Sequence, residues 1–131
     1  MAIRISMDDL TTGPTVETLR KRSEFLACAR ALRKGTSSMM VQARQRHDDQ
    51  PAVRVGYTCS KKVGNAVARN RAKRRLRAVA REIVAMHGQA GWDYVLIGRA
   101  DKTGSLPYET LRRDLSYALR HFHTPQQAAS T

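Results

Sequence analysis

Between Lys61 and Arg81 the chain carries nine basic side chains and no acidic one. The same segment places Ala72, Leu76, Val79, Ala80 and Ile83 at helical spacing, so that they fall on one stripe of a wheel turning about 100° per residue. Only a long helix with one buried stripe accommodates both patterns. Like charges three or four residues apart repel one another on such a helix, and a merely solvated helix would intersperse Glu. The missing acids imply that a bound polyanion relieves the repulsion. Asn65 is a suitable N-cap, the helix should run to about Met86, and Gly88 and Gly91 stop it.

Composition agrees. The chain has 131 residues, suited to one domain, and Lys plus Arg (24) against Asp plus Glu (11) gives a net charge of +13. Such an excess favours nucleic acid or an anionic membrane as partner. Apolar residues make up 41%, enough for a core without a disulfide or metal staple. Apolar runs such as Tyr94 to Ile97 fall far short of the ~20 residues of a membrane-spanning helix, and the first seven residues have no signal-peptide core. A cytoplasmic, monomeric protein is expected. Cys28 and Cys59 are read as reduced, mostly buried thiols, and no His or Cys pairing has zinc-ligand spacing.

The folded body is expected over residues 18–123, between a flexible leader (1–17) and a flexible tail (124–131). Ser23 is a plausible N-cap for a short helix ending near Leu32, with Phe25, Ala29 and Leu32 on one face. A strand is expected over 36–46. A second, alternating strand runs from Val53 to Cys59, and the two should form a hairpin. A buried strand at Tyr94–Ile97 and a last helix after Pro107, with Leu111, Leu115, Ala118, Leu119 and Phe122 inward, complete the order αββαβα. This is an α+β fold, a two-layer α/β sandwich with helices against a small sheet.

Around the helix start, Lys61, Lys62, Gly64 and Asn65 lead into free backbone N–H groups, read either as a phosphate site or as a plain capped turn. Arg71, Arg74, Arg77 and Arg81 lie opposite or beside the apolar stripe, while Arg69 and Lys73 fall at its edge. Arg69, Asn70 and Arg71 together span about 200° of the wheel, so they meet one strand only where it passes the helix end. No carboxylates converge as a two-metal nuclease requires: Asp8 and Asp9 lie in the leader, Asp48 and Asp49 in a turn.

The run Lys61-Lys-Val-Gly-Asn-Ala-Val-Ala-Arg-Asn-Arg-Ala-Lys-Arg-Arg-Leu-Arg77, with its Arg-Asn-Arg block, closely resembles the bacterial ribonuclease P protein component. Leu19–Phe25, Arg54–Ser60 and Asp93–Arg99 resemble other segments of that family, so the likeness spans roughly residues 19–122. The resemblance implies a sandwich of the type shared with a ribosomal protein domain, with a left-handed βαβ crossover. It also implies a role: the protein joins a catalytic RNA that uses Mg2+, held mainly by RNA, to remove the 5′ leader of precursor tRNA. By the same resemblance, Lys61, Lys62, Asn65, Arg69, Asn70, Arg71, Lys73, Arg74 and Arg77 should meet RNA, and Phe25 should line the leader cleft. Tyr57 is a further cleft candidate, with Tyr108 and Tyr117. Where the family often has more aromatics, this chain has Ala29 and Met39-Met-Val-Gln-Ala43, so charge should carry more of the grip on the leader. A structural RNA-binding protein, a self-sufficient nuclease and a peripheral membrane protein are the competing readings, and Ala72 and Ala80 make the apolar face small for membrane insertion.

Overall fold

The computed structural model describes residues 16–123; the expected tail, most of the expected leader, and Asp8 and Asp9 lie outside the described residues. The elements are β1 (Val16–Thr18), α1 (Arg22–Ala29), β2 (Leu32–Gly35), β3 (Met39–Gln45), β4 (Val53–Thr58), a 3-10 turn (Lys61–Val63), α2 (Ala66–His87), β5 (Trp92–Gly98) and α3 (Tyr108–His123). The αββαβα frame is present, with β1 and β2 added. The five strands lie in the order β1-β4-β5-β3-β2.

The expected hairpin between residues 36–46 and 53–59 does not form. β4 pairs in parallel with β5 and with β1, while β3 pairs antiparallel with β5 and with β2. The true hairpin is β2–β3, turning through Thr36–Ser38, where the Thr36 N–H donates to the Met39 carbonyl at 2.9 Å. Alternation in a strand fixes which face is buried but says nothing about its neighbour, and β5, far along the chain, has the most apolar sides and takes the centre. Val16 and Glu17, assigned to the leader, instead pair with Val53 and Arg54.

The first helix also differs from expectation. It starts one residue before Ser23 because Glu24, not Ser23, closes its start: the Lys21 N–H donates to Glu24 Oε1 at 3.4 Å. It stops at Ala29, and Leu32 leaves the helical face to pair with Ala43 on the sheet edge, 42% exposed.

The two long helices follow their patterns. Asn65 Oδ1 accepts from the Ala68 N–H at 2.9 Å and caps α2. Ala72, Leu76, Val79, Ala80 and Ile83 are buried, joined by Val84. All five expected core residues of α3 are buried. These stripes meet Met39, Val41, Ala43, Val53, Val55, Tyr94 and Leu96 on one face of the sheet, the main core. The opposite face carries only α1, over a smaller cluster of Leu19, Cys28 and Val95 with Phe25 and Ile97. Burial pushes the Cys28 thiol up to about 11, with Asp93 adding to the effect, so it is inert at neutral pH. Cys59 is half-buried, and both cysteines are free.

Beneath α1 lies a charged cluster that sequence reading missed. Asp93 on β5 is fully buried and receives Arg46 Nη1 at 2.7 Å, Arg54 Nε at 2.8 Å and Arg54 Nη2 at 2.9 Å. Arg46, itself buried, also donates to the Trp92, Gln50 and Ala52 carbonyls. A buried carboxylate survives only when paired this fully. Arg44, Arg46 and Arg54 hang from adjacent strands because β3 and β4 flank β5, a fact of strand order that no local pattern reveals.

Candidate nucleic-acid interface

The α2 helix sorts its cations by angle. Asn70, Arg71, Arg74, Arg77 and Arg81 are exposed, and Arg69, Lys73 and Arg75 are half-buried. Among the described residues, the ion pairs involve Arg44, Arg46, Arg54 and Arg112, and none involves a cation of α2. Several α2 arginines are instead steadied by neutral carbonyls. Arg69 Nη1 donates to Gly64 O at 2.8 Å, Arg71 Nε to Gly104 O at 3.0 Å, and Arg75 to Thr103 O at 2.8 Å and Leu106 O at 2.6 Å. Carbonyl partners orient a guanidinium without cancelling its charge, so the ridge is both ordered and cationic.

The Arg69-Asn70-Arg71 block splits around the helix start as its angles require. Arg69 turns toward the preceding loop, Arg71 toward the loop before α3, and Asn70 is exposed between them. Arg75 lies apart from the exposed ridge, because both its terminal nitrogens tie α2 to the 103–106 loop. Lys61 and Lys62 are exposed on the 3-10 turn, whose start is closed by Ser60 Oγ accepting from the Lys62 N–H at 3.2 Å. Gly64 joins this turn to α2 at φ +139°, and a Cβ there would also sit 2.8 Å from the Ala68 methyl. The Asn65 side-chain oxygen is spent on its cap, leaving the amide NH2 outward-capable.

On the other face of the sheet, α1 walls an open groove of about 440 Å³. Phe25, Leu26 and Ala29 line one side, Gln42, Thr58, Val95 and Ile97 the floor, and Arg20 and Arg22 the approach. Phe25 is half-buried, its ring laid on the backbone of Gly56, where an added Cβ would come within 2.5 Å of two ring carbons. Phe25 therefore packs and lines the groove at once. Tyr57 borders the groove, but its ring belongs to the α2 side, packing on the main core with the Arg77 guanidinium 5.6 Å from its centroid. Burial raises the Tyr57 phenol, with Arg77 and Arg81 partly opposing. Tyr108 and Tyr117 lie on α3, away from the groove lining. Arg20 and Arg22 were not singled out from sequence; the signal was their place just before Phe25.

Among the described residues no three His, Cys, Asp or Glu side chains gather at metal-binding distance. Asp48 accepts from the Gln50 N–H at 3.1 Å and from Arg46 Nε at 2.9 Å, and these, the Gln50 N–H foremost, keep its carboxyl below the usual range. No described helix is long and apolar enough to cross a membrane.

Residues 14–123 match the family model described as Ribonuclease P. The chain is 59% identical over 112 residues to the ribonuclease P protein component of Ruegeria pomeroyi, covering 85% of this chain and 90% of that one. It is 48% identical over 103 residues to the component from Caulobacter vibrioides, covering 79% and 68%. Among solved structures, the Staphylococcus aureus RNase P protein shares its fold at a TM-score of 0.64 and 23% identity, over 79% of this chain and 92% of that one. The Thermotoga maritima RNase P protein does so at 0.62 and 24%, over 75% and 90%.

Proposed function

Because the chain belongs to the ribonuclease P protein family and is thus a subunit of a tRNA-processing ribonucleoprotein, we propose that its α2 ridge seats the catalytic RNA while the α1 groove holds the 5′ leader of precursor tRNA. The observation that carries this reading is the ridge itself: nine basic residues from Lys61 to Arg81 without an interspersed acid, and no ion pair to the α2 cations among the described residues. Lys61, Lys62, Arg74 and Arg77 meet phosphates as point charges and forks, and Asn70 adds donor and acceptor capacity at the turn of the strand. Arg69 and Arg71, steadied from opposite flanks, bracket that contact.

In the groove, Phe25 offers a π-face to an unpaired base, a contact that tolerates any sequence. Arg20 and Arg22 attract the backbone, making up for the sparse aromatics. Because no carboxylate cluster in the described residues suits a divalent ion, Mg2+ and the bond-breaking chemistry are assigned to the RNA. The protein's own contribution is to lower the magnesium requirement and to favour substrates that carry a leader. The free chain is monomeric and works in the cytoplasm, where precursor tRNA is made.

The test mixes purified protein with ribonuclease P RNA and precursor tRNA at low magnesium. The expected result is faster 5′ cleavage than by RNA alone, with leaderless tRNA bound less tightly than precursor. No gain over RNA alone would overturn the reading, as would cleavage by rigorously RNA-free protein.

A further inference from the structure

Arg54 and Gly56 stand two residues apart on the α1 face of β4, and each receives one of two consecutive residues of α1. Arg54 Nη1 donates to Glu24 Oε2 at 2.7 Å, and Gly56 underlies the Phe25 ring. Arg54 is not free to follow the helix, because its other edge grips the buried Asp93 through Nε at 2.8 Å and Nη2 at 2.9 Å. Asp93 is in turn fixed by Arg46 at 2.7 Å. The chain of contacts runs from the centre of the sheet through one planar guanidinium to α1.

The helix has little else to hold it. It is eight residues long, with Cys28 its one buried residue, so its apolar anchorage is slight and an ion pair has leverage on its position. We propose that Arg54 and Glu24 are positioning residues: Arg54, referenced to Asp93, sets where α1 lies over the sheet and so sets the width of the groove in which Phe25 meets the leader. Neither residue lines the groove beside Phe25; both line a separate depression with Ser23, Ala27 and Arg44. The inference rests on the groove being the leader site.

The experiment measures binding of precursor tRNA and of leaderless tRNA by the holoenzyme reassembled with full-length variants. Glu24→Gln keeps the size of the side chain and leaves Arg54 on Asp93. It should reduce the preference for precursor over leaderless tRNA about five-fold, the upper end of the scale for one part-exposed ion pair, with leaderless binding unchanged. Removing a negative charge would by itself tighten RNA binding, so the expected sign opposes the general electrostatic effect. Glu24→Asp, which keeps the charge but shortens the reach, should lose in the same direction and serves if the amide variant melts early. In a Phe25→Ala background, Glu24→Gln should add nothing, because its route to the leader is gone. Equal loss for both substrates, unchanged preference, or additive losses would overturn the positioning role. If Phe25→Ala itself leaves the preference intact, it is the groove reading that fails.

Discussion

Two neighbouring arginines on α2 show how little residue type says about role. Arg74 is exposed with no acidic partner, whereas Arg75 gives both terminal nitrogens to the Thr103 and Leu106 carbonyls. Arg75→Ala should therefore cost about 1–3 kcal/mol of stability by leaving two part-buried carbonyls unpaired, read by urea unfolding. Arg74→Ala should stay within about 0.5 kcal/mol of the parent and instead weaken RNA binding, with a salt dependence shallower by about 0.7. A swap of these outcomes would mean that the exposed ridge has been misplaced. Gly56 is a second position where one atom decides. Its would-be Cβ meets Phe25 ring carbons at 2.5 Å, so Gly56→Ala should cost about 1–3 kcal/mol by overpacking and displace the ring, seen as a lower urea midpoint. Neither Arg75 nor Gly56 was legible in the sequence. A run of six cations within nine residues, Arg69 to Arg77, looks uniform until the 103–106 loop is folded against it, and Gly56 looks ordinary until α1 is laid over it.

At the scale of elements, legibility followed repetition. The stripes of α2 and α3 recur over several turns, so periodicity named their buried residues and their ends. The stretch 30–45 offers Leu32, Gly35 and a few alternating residues, too short a sample to separate a helix end from an edge strand. Pairing was illegible for a different reason: β4 and β5 join across the whole of α2, and no local pattern records that. The end of α3 makes a testable joint. Tyr94 Oη lies 2.6 Å from His123 Nε2 and accepts from the Gln89 N–H at 3.0 Å, an arrangement in which the phenol O–H can donate to a neutral imidazole. Trp92 meets the same ring edge-on at 4.5 Å. Burial lowers the His123 pKa. The folded state thus binds fewer protons than the unfolded one. Its stability is whole above the unfolded value near 6.5 and falls as pH drops through it. Between about pH 7.5 and 5.5, the melting temperature of the parent should fall further than that of His123→Gln, which keeps an acceptor but cannot titrate. Parallel declines would show that His123 is not the group responsible.

Over the whole molecule, the ion-paired acids among the described residues are spent on cations other than those of α2. Asp93, Glu24 and Asp48 serve Arg44, Arg46 and Arg54 under and beside α1, while Glu82 and Glu109 serve Arg112 between α2 and α3. The net charge of +13 is therefore felt most on the surface around Lys61, Lys62, Arg74, Arg77 and Arg81. With those five in contact with single-stranded phosphates, log affinity should fall by about 3 to 4 per log unit of salt, measured by filter binding from low to high potassium chloride. A flat response would rule out the phosphate contacts.

The placement of β5 has a consequence for biosynthesis. It is the middle strand, and it joins two ribbons, β1–β4 and β2–β3, that share no hydrogen bonds of their own. A ribosome that has made everything up to Gly91 has therefore delivered two loose halves and a bare polycationic rod, in a compartment crowded with RNA. Only the next seven residues, Trp92–Gly98, zip the halves together and give the rod a floor to lie on. Until then the nascent chain is an adhesive without a shape, and every contact that joins the two halves must wait for the last third of translation.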